Sequence, residues 1–500
     1  MKDNEYNKNR INDVPVFDLA LFASQIIEST REQVYIREQD RLMIIRPNRM
    51  YFVNKTAYFI LKKMYDASYG SLDASGRFSV DLNRIISECV EKFKTDRGII
   101  SQDISNLLKT LSSVLNSQNS IPFVDMHPAP NLKLTGFGSH ELYYPVLSEI
   151  AMTYACQLKC KFCYAGIGSG IKSRFTSRRE MDIAQIKKVI DKICDEAYCP
   201  TISFTGGEPT LRFNDLTEAI RYAKLRKMRV NLITNGIVLA DCAKALELSD
   251  AGLDSAQVSI EGAHPAVHDA ITGAPGSFQK SIEAVKNLIK SKIHVHTNST
   301  VTSENVESIY ELPNLLSGLG LKYFSVNMVI KTGSANVNEA LLIGYENIGG
   351  HIKKLSDIAS DKNIKLVWYS PTPYCLFNPV EAGLGSKSCA AASGLLSVSP
   401  CGDVLPCSSF KDSLGNLLEK SFEQIWSTRS ARYFRNKEFM PPVCAHCDIK
   451  EICQGGCPLY WDAKKDFKEI ESCNEKPGGL FLKNAAWKFK RHICGRKFGF

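Results

Sequence analysis

The sequence has no apolar run approaching the roughly 18 residues that span a bilayer, and its opening, MKDNEYNKNR, lacks the apolar stretch of a signal peptide. A soluble, cytoplasmic chain with no membrane partner is the expectation. It also lacks any long run of one charge. The 62 basic and 53 acidic residues leave +9 over 500 residues, and only Lys483 to Arg496 is locally basic. Nucleic-acid binders concentrate charge on one face or tail, so this spread argues against a nucleic-acid partner. No Ser-His-Asp order and no zinc-protease helix is present. GIGSG, Gly166 to Gly170, lacks the Lys-Ser/Thr ending of a phosphate loop and reads as a flexible active-site loop. His264 and His268 read as ordinary loop histidines.

Cysteine is abundant instead. Seventeen in a chain without an export signal do not fit disulfides, because the cytosol keeps thiols reduced. Metal or cluster ligation is the better reading. Cys89, Cys194, Cys199 and Cys242 lie apart from the others and read as small buried hydrophobes, and Cys494 has no assignment.

Length suggests two to four domains. From Gln33 to Val53 three β-rich runs, VYIREQ, LMIIRP and RMYFVN, precede amphipathic helices at 56–66, 80–93 and 101–116. This unit, assigned to 20–120, ends in a polar, Pro-rich linker at 121–145. From 146 to 335 the pattern becomes strand, loop, helix, repeated. The strands are LSEIAMTY, TISFTG, VNLITNG, SAQVSIEG, HVHTNSTVT and YFSVNMVI, with helices such as 182–196 and 277–290 between them. Six such units predict an α/β fold, either a doubly wound sheet or a partial (β/α)6 TIM-like barrel, with function at the C-terminal strand ends. A bridging region, 336–388, holds a helical stretch near 339–362. Residues 389–475 are loop-rich and cysteine-dense, with order expected from metal ligation, and 476–500 is a basic, amphipathic tail that reads as a docking helix.

CQLKCKFC, Cys156 to Cys163, directly follows the first barrel strand. Three thiolates in eight residues can hold three irons of a four-iron four-sulfur cluster and leave the fourth open. This CxxxCxxC, with Phe162 before the third cysteine, resembles the radical S-adenosylmethionine (SAM) superfamily. The resemblance implies that the open iron binds SAM and that an electron from the cluster releases a 5′-deoxyadenosyl radical. It further implies that TGGEP, Thr205 to Pro209, holds the methionine amino group through Gly206, Gly207 and Glu208. Asn235 in ITNG and Ser259 in SIEG are candidates for the ribose and adenosyl portions. The family's usual arginine after the fourth strand is replaced by Thr272, which leaves Asn298 as a weak substitute for binding the cofactor carboxylate.

Cys389, Gly402, Cys407, then Cys444, Cys447, Cys453 and Cys457 in CxxCxxxxxCxxxC, then Cys473, resemble the SPASM domain found behind the barrel in many peptide- and protein-modifying members. That resemblance implies two auxiliary clusters, three in all. One takes Cys444, Cys447, Cys453 and Cys473; the other takes Cys389, Cys407 and Cys457, with Cys375 the favoured fourth ligand and Cys401 its rival. If neither ligates, an iron is open for substrate.

RPNRMYFVNKTAYFIL, a strand pair leading into a helix opened by Asn-x-Thr-Ala, makes the first unit resemble the winged-helix-like leader-binding module of ribosomal peptide biosynthesis. Such a module adds a peptide to its exposed sheet edge. Together these resemblances imply a maturase of a ribosomal precursor peptide, held by its leader and served by an electron donor such as flavodoxin or ferredoxin. The expected product is a cysteine sulfur-to-carbon thioether. Alternatives are a carbon–carbon cross-link, side-chain oxidation as in sulfatase maturation, tetrapyrrole modification, or a non-catalytic leader-binding iron–sulfur protein. In the sulfatase-maturing relatives an aspartate follows the GxxxxC cysteine; Ser408 stands there and argues against that role.

Overall fold

The computed structural model describes residues 16–31, 33–45, 49–72, 78–116, 132–167 and 179–471. Among them no helix is long and apolar enough to cross a membrane. The chain divides into two compact units between Thr135 and Gly136.

The first unit contains α1 (Val16–Thr30), β1 (Val34–Arg37), β2 (Leu42–Ile45), β3 (Arg49–Val53), α2 (Lys55–Tyr65), β4 (Gly70–Leu72), β5 (Phe78–Val80), α3 (Leu82–Phe93), α4 (Arg97–Asn116) and β6 (Leu132–Thr135). Asn54 opens α2 as the Asn-x-Thr-Ala turn predicts: its side chain accepts from the Ala57 N–H at 2.8 Å, satisfying an amide the helix leaves orphaned. Asp81 caps α3 in the same way, on the Arg84 N–H. Val80 therefore belongs to the β4–β5 hairpin rather than to the helix expected from it. Ile60, Leu61 and Met64 of α2, Ile85 and Ile86 of α3, and Ile104, Leu107, Leu108 and Leu111 of α4 share one core. The sheet order is β1-β2-β3-β6, all antiparallel. β6 lies inside the span expected to be a linker, and it covers the outer edge of β3, Leu132 pairing with Val53.

In the second unit all six expected strands form: β7 (Leu147–Ala151), β8 (Thr201–Thr205), β9 (Arg229–Thr234), β10 (Ser255–Ser259), β11 (His294–Val301) and β12 (Tyr323–Met328). They pair in chain order, all parallel. Between them run α5 (Ile183–Asp195), α6 (Phe213–Leu225), α7 (Cys242–Asp250), α8 (Pro265–Thr272), α9 (Ser277–Lys290), α10 (Val306–Ile309) and α11 (Leu312–Gly318); α12 (Tyr345–Asp361) follows β12. The six-strand expectation is too small. β13 (Lys365–Trp368), from the presumed bridge, adds parallel to β12, and β14 (Leu395–Val398), from the cysteine-rich region, adds parallel to β7. β15 (Asp403–Leu405) and β16 (Gly415–Asn416) continue that edge antiparallel. β13 and β14 do not pair, so the eight parallel strands form an open TIM-like α/β barrel with a seam. The remaining helices are α13 (Phe422–Trp426), α14 (Arg429–Arg435), α15 (Lys450–Cys453), α16 (Pro458–Lys464) and α17 (Lys468–Glu471).

Side chains alternate across these strands. Ile150, Ile202, Phe204, Val230, Leu232, Ala256, Val258, Phe324 and Val326 pack outward in the helix-covered core. The opposite face is polar. Asn231 donates to Ser203 (3.2 Å) and Ser255 to Asn231 (2.9 Å). His296 Nε2 meets Gln257 at 3.1 Å, Ser325 donates to Asn298 (2.9 Å), and Asn298 donates to Asn327 (2.7 Å). Strands buried on both faces normally read as continuous apolar runs. This hydrogen-bonded lining instead belongs to a lumen built to meet polar groups.

Candidate active site at the barrel mouth

Cys156, Cys160 and Cys163 leave the C-terminal end of β7 in a loop held by backbone bonds. Lys159 N and Lys161 N donate to Thr272 O (2.9 Å) and Ile271 O (3.0 Å), and the Cys163 carbonyl accepts from Gly166 N and Ser334 N. Gly207 N and Glu208 N donate to Thr153 O (2.7 Å) and Ala155 O (2.8 Å). A Cβ on Gly207 would lie 2.2 Å from Ala155 O, and one on Gly206, at φ +140°, 2.3 Å from Thr153 O. The two glycines thus let TGGEP press its backbone against the thiol loop. Thr272, where the family's arginine is missing, serves the loop through its carbonyl.

The three thiols feel one another electrostatically. Burial pushes Cys156 up to about 11 and Cys160 and Cys163 above the usual thiol range. Among the described residues no three His, Cys, Asp or Glu side chains converge on a single metal ion. As a donor set, three thiols on one loop fit a cluster with an iron left over.

Glu208 is buried, and protein donors surround it. One carboxylate oxygen accepts from Thr210 N (3.1 Å), Thr210 Oγ1 (2.5 Å) and Thr234 Oγ1 (2.8 Å), the other from Asn235 N (2.8 Å). It ties the ends of β8 and β9 together. The Asn235 side chain turns to the thiol loop: Nδ2 lies 3.7 Å from Cys156 Sγ, and Gln157 Nε2 donates to Oδ1 at 3.4 Å. Ser259 and Asn298 are register partners on the lumen face of β10 and β11, but the Asn298 amide is engaged by Ser325 and Asn327. Phe162 is partly buried between Cys160 and Cys163. Glu261, which the motif reading passed over, is 4% exposed and close enough to influence Cys160. Burial pushes its carboxyl up to about 8, against one stabilising bond from Thr300 N (2.8 Å).

Glu149 points from β7 into the lumen. Ser397 Oγ donates to it at 2.5 Å, Ser408 bonds it as well, and burial raises its pKa. Ser408, in the turn after β15, is thus bonded to a carboxyl from β7. Tyr164, whose hydroxyl donates to Gly206 O at 2.9 Å, and Tyr154 are near enough to feel Glu149.

The cysteine-rich region divides its thiols into two groups. Cys407 feels Cys389 and Cys457, and Cys457 feels Cys389; Cys444 feels Cys453 and Cys447. Cys473, expected beside the second group, lies outside the described residues. Cys375 is exposed, on a segment that touches both groups: the N–H of Tyr374 donates to Cys453 Sγ at 3.3 Å, and Pro373 lies against Gly456, next to Cys457. Cys401 is buried near Tyr154. Tyr345, at the start of α12, anchors the first group to the barrel: its hydroxyl accepts from Cys457 N at 2.9 Å, and its ring lies 3.8 Å from Tyr460.

Residues 150–316 match the Radical SAM superfamily, and residues 389–448 match the SPASM iron-sulfur cluster-binding domain. The chain is 27% identical over 351 residues to the AdoMet-dependent heme synthase of Methanosarcina barkeri, covering 67% of this chain and 97% of that one. It is 27% identical over 322 residues to the PqqA peptide cyclase of Rhizobium meliloti, covering 63% and 82%. In fold it resembles Streptococcus suis SuiB, in crystals with S-adenosylmethionine (TM-score 0.60, 16% identity, 87% and 96% covered) and with the precursor peptide SuiA (0.60, 15%, 87% and 96%).

Proposed function

We propose that this radical SAM enzyme, with its SPASM extension, is a maturase that cross-links a ribosomally made precursor peptide. The observation carrying this reading is the three-thiol loop of Cys156, Cys160 and Cys163 opening on a polar lumen bordered by Glu149 and the Cys389, Cys407 and Cys457 group. A lumen lined with Gln257, Asn298, Ser325 and Asn327 suits a peptide backbone, which brings a donor and an acceptor with every residue.

Cys156, Cys160 and Cys163 would hold the SAM cluster; Cys389, Cys407 and Cys457 a second; Cys444, Cys447, Cys453 and Cys473 a third. When bound, cluster and SAM supply a 5′-deoxyadenosyl radical that takes a hydrogen atom from substrate carbon. The chain's part is placement. Gly206 and Gly207 give the cofactor backbone to lie against, while Glu208 acts as a positioning residue, fixing Thr234 and Asn235 at the end of β9. The Asn235 amide stabilises charge on Cys156, and Ser259 faces the cofactor's nucleoside. Sulfur-to-carbon closure is the bond we favour; it removes two hydrogens from the peptide.

The first unit would hold the leader by strand addition. Because β6 covers β3, the outer strands of this four-stranded sheet, among the described strands, are β1 and β6. The heme synthase relatives support a second reading, in which the lumen takes a tetrapyrrole. Co-expression with any short peptide found encoded beside this gene separates the two. A peptide 2 Da lighter, with one cysteine no longer alkylatable, is expected. Unchanged peptides together with a modified tetrapyrrole would overturn the peptide reading.

A further inference from the structure

The polar lining continues below Ser259 and Asn298 to the N-terminal ends of the strands, the floor of the barrel. Alternation puts Arg229 of β9, Gln257 of β10, His294 and His296 of β11 and Tyr323 of β12 on that inward face, with His296 level with Gln257. His296 is 7% exposed. Its Nε2 lies 3.1 Å from Gln257 Oε1, an oxygen that can only accept, so Nε2 carries the proton and Nδ1 is left as a lone pair. Among the described residues that Nδ1 is buried without a partner. The ring stacks on Tyr323 at 5.1 Å, and His294 lies against the same phenol ring at 5.7 Å.

A phenylalanine would stack on Tyr323 as well and leave no acceptor unmet, so packing alone does not account for an imidazole here. The charge around it is positive. Arg229, half-buried, makes no side-chain hydrogen bond or ion pair among the described residues, and it is near enough to act on His294 and Tyr323. Among the described residues no carboxylate and no cluster thiol influences His294, His296 or Tyr323. Asp254, just before β10, is engaged by Lys224 Nζ (2.8 Å) and Val230 N (2.7 Å).

We infer that the barrel floor is a chain-end subsite: Arg229 and the Tyr323 hydroxyl take the C-terminal carboxylate of a bound peptide, and His296 Nδ1 accepts the N–H of its last residue. This deepens the peptide-maturase reading and rests on it. An imidazole lone pair repels a carboxylate and selects a donor, while a guanidinium repels an ammonium and selects an anion. A peptide terminus carries a donor and an anion on neighbouring atoms. A lysine side chain offers only the first, and an aspartate side chain only the second. Substrates with a free C-terminus are thus specified over those amidated there.

The test uses full-length, cluster-loaded enzyme with SAM and the hexapeptide Gly-Ser-Ala-Gly-Ala-Gly, fluorescent at its N-terminus, as the free acid and as the C-terminal amide. The acid should bind wild type about tenfold more tightly, and Arg229→Gln should bind both equally. His296→Phe should weaken both by about fivefold and leave their ratio unchanged, because the N–H it accepts is present in each. Iron content and near-ultraviolet circular dichroism establish that each variant is folded. If His296→Phe does not fold, Tyr323→Phe, which removes one oxygen, decides, and its preference for the acid should fall about threefold. Wild type that does not prefer the acid, an undiminished preference in Arg229→Gln, or folded His296→Phe or Tyr323→Phe protein that binds the acid as wild type does, overturns the inference. A propionate-bearing porphyrin that binds in an Arg229-dependent manner while neither peptide does overturns the peptide source of the carboxylate. Enzyme that prefers the acid yet modifies no peptide on co-expression fails the maturase reading instead.

Discussion

Cys156, Cys160 and Cys163 sit in a loop whose backbone is tied to α8, to the segment after β12 and to the TGGEP turn. Cys444, Cys447 and Cys453 sit in a stretch with only a 3-10 turn and a four-residue helix. In the first region the sheet positions the thiols, and the loop needs little from a metal to hold its shape. In the second, the backbone bonds over 441–454 are local, such as Cys447 N to Cys444 O at 3.1 Å and Gln454 N to Lys450 O at 2.9 Å, so ligation would supply the longer-range order. A catalytic cluster thus rests on a scaffold, and an auxiliary one helps to make it.

Chelating the iron breaks this comparison most directly. Removal should raise amide exchange at 442–457 at least about a hundredfold, since structural metal sites carry much of the local folding energy, while β7 to β11 stay protected. Equal deprotection of both regions would remove the distinction. Gly207→Ala strikes the scaffolded side. Its Cβ would meet backbone, not a yielding side chain, so the cluster at the β7 loop should be lost while the cysteine-rich region still takes up iron, as read by iron content and Mössbauer spectroscopy.

In acid two buried histidines should act against the barrel's stability, in the opposite sense to Glu261, whose carboxyl is held up at about 8 by burial. Burial holds His268 and His296 down at about 4, from 6.5. Above pH 6.5 both rings are neutral whether folded or not, and stability is full. Between 6.5 and 4 only the unfolded chain takes up the proton, so stability falls as pH falls, by up to about 3 kcal/mol for each histidine. His268→Gln should flatten that part of the denaturation profile. The smallest effect sharpens the scaffold side: Asn235→Ala removes a donor near Cys156 Sγ and should lower the first cluster's potential by about 20–40 mV, equivalent to a hydrogen bond of about 0.5–1 kcal/mol. Potentiometric titration with EPR detection reads it.

Much of the catalytic region was legible because its chemistry is local in sequence. CxxxCxxC, TGGEP and the strand-helix period each lie within one short window, and six strands follow from them. What escaped depends on distant partners. β14 is recognisable only through β7, Leu395 pairing with Leu147, and β6 is hidden in a Pro-rich stretch until β3 is beside it. The inward polar row of Ser203, Asn231, Gln257, Asn298 and Ser325 was visible as period-two alternation, a signal that passed for ordinary strand patterning. Asn235 follows β9 as its motif implies, while its contacts with Cys156 and Gln157 come from a loop 78 residues away and leave no mark on spacing. Cys375 is favoured because the resemblance puts the fourth ligand upstream of Cys389; the contact of its neighbour Tyr374 with Cys453 has no counterpart in spacing.

The central claim is that the loop at β7 cleaves SAM to a radical. Anaerobic, cluster-loaded protein given dithionite and SAM should form 5′-deoxyadenosine, and Cys160→Ala should form none while retaining auxiliary-cluster iron. No product from wild type, or undiminished product from Cys160→Ala, would contradict it.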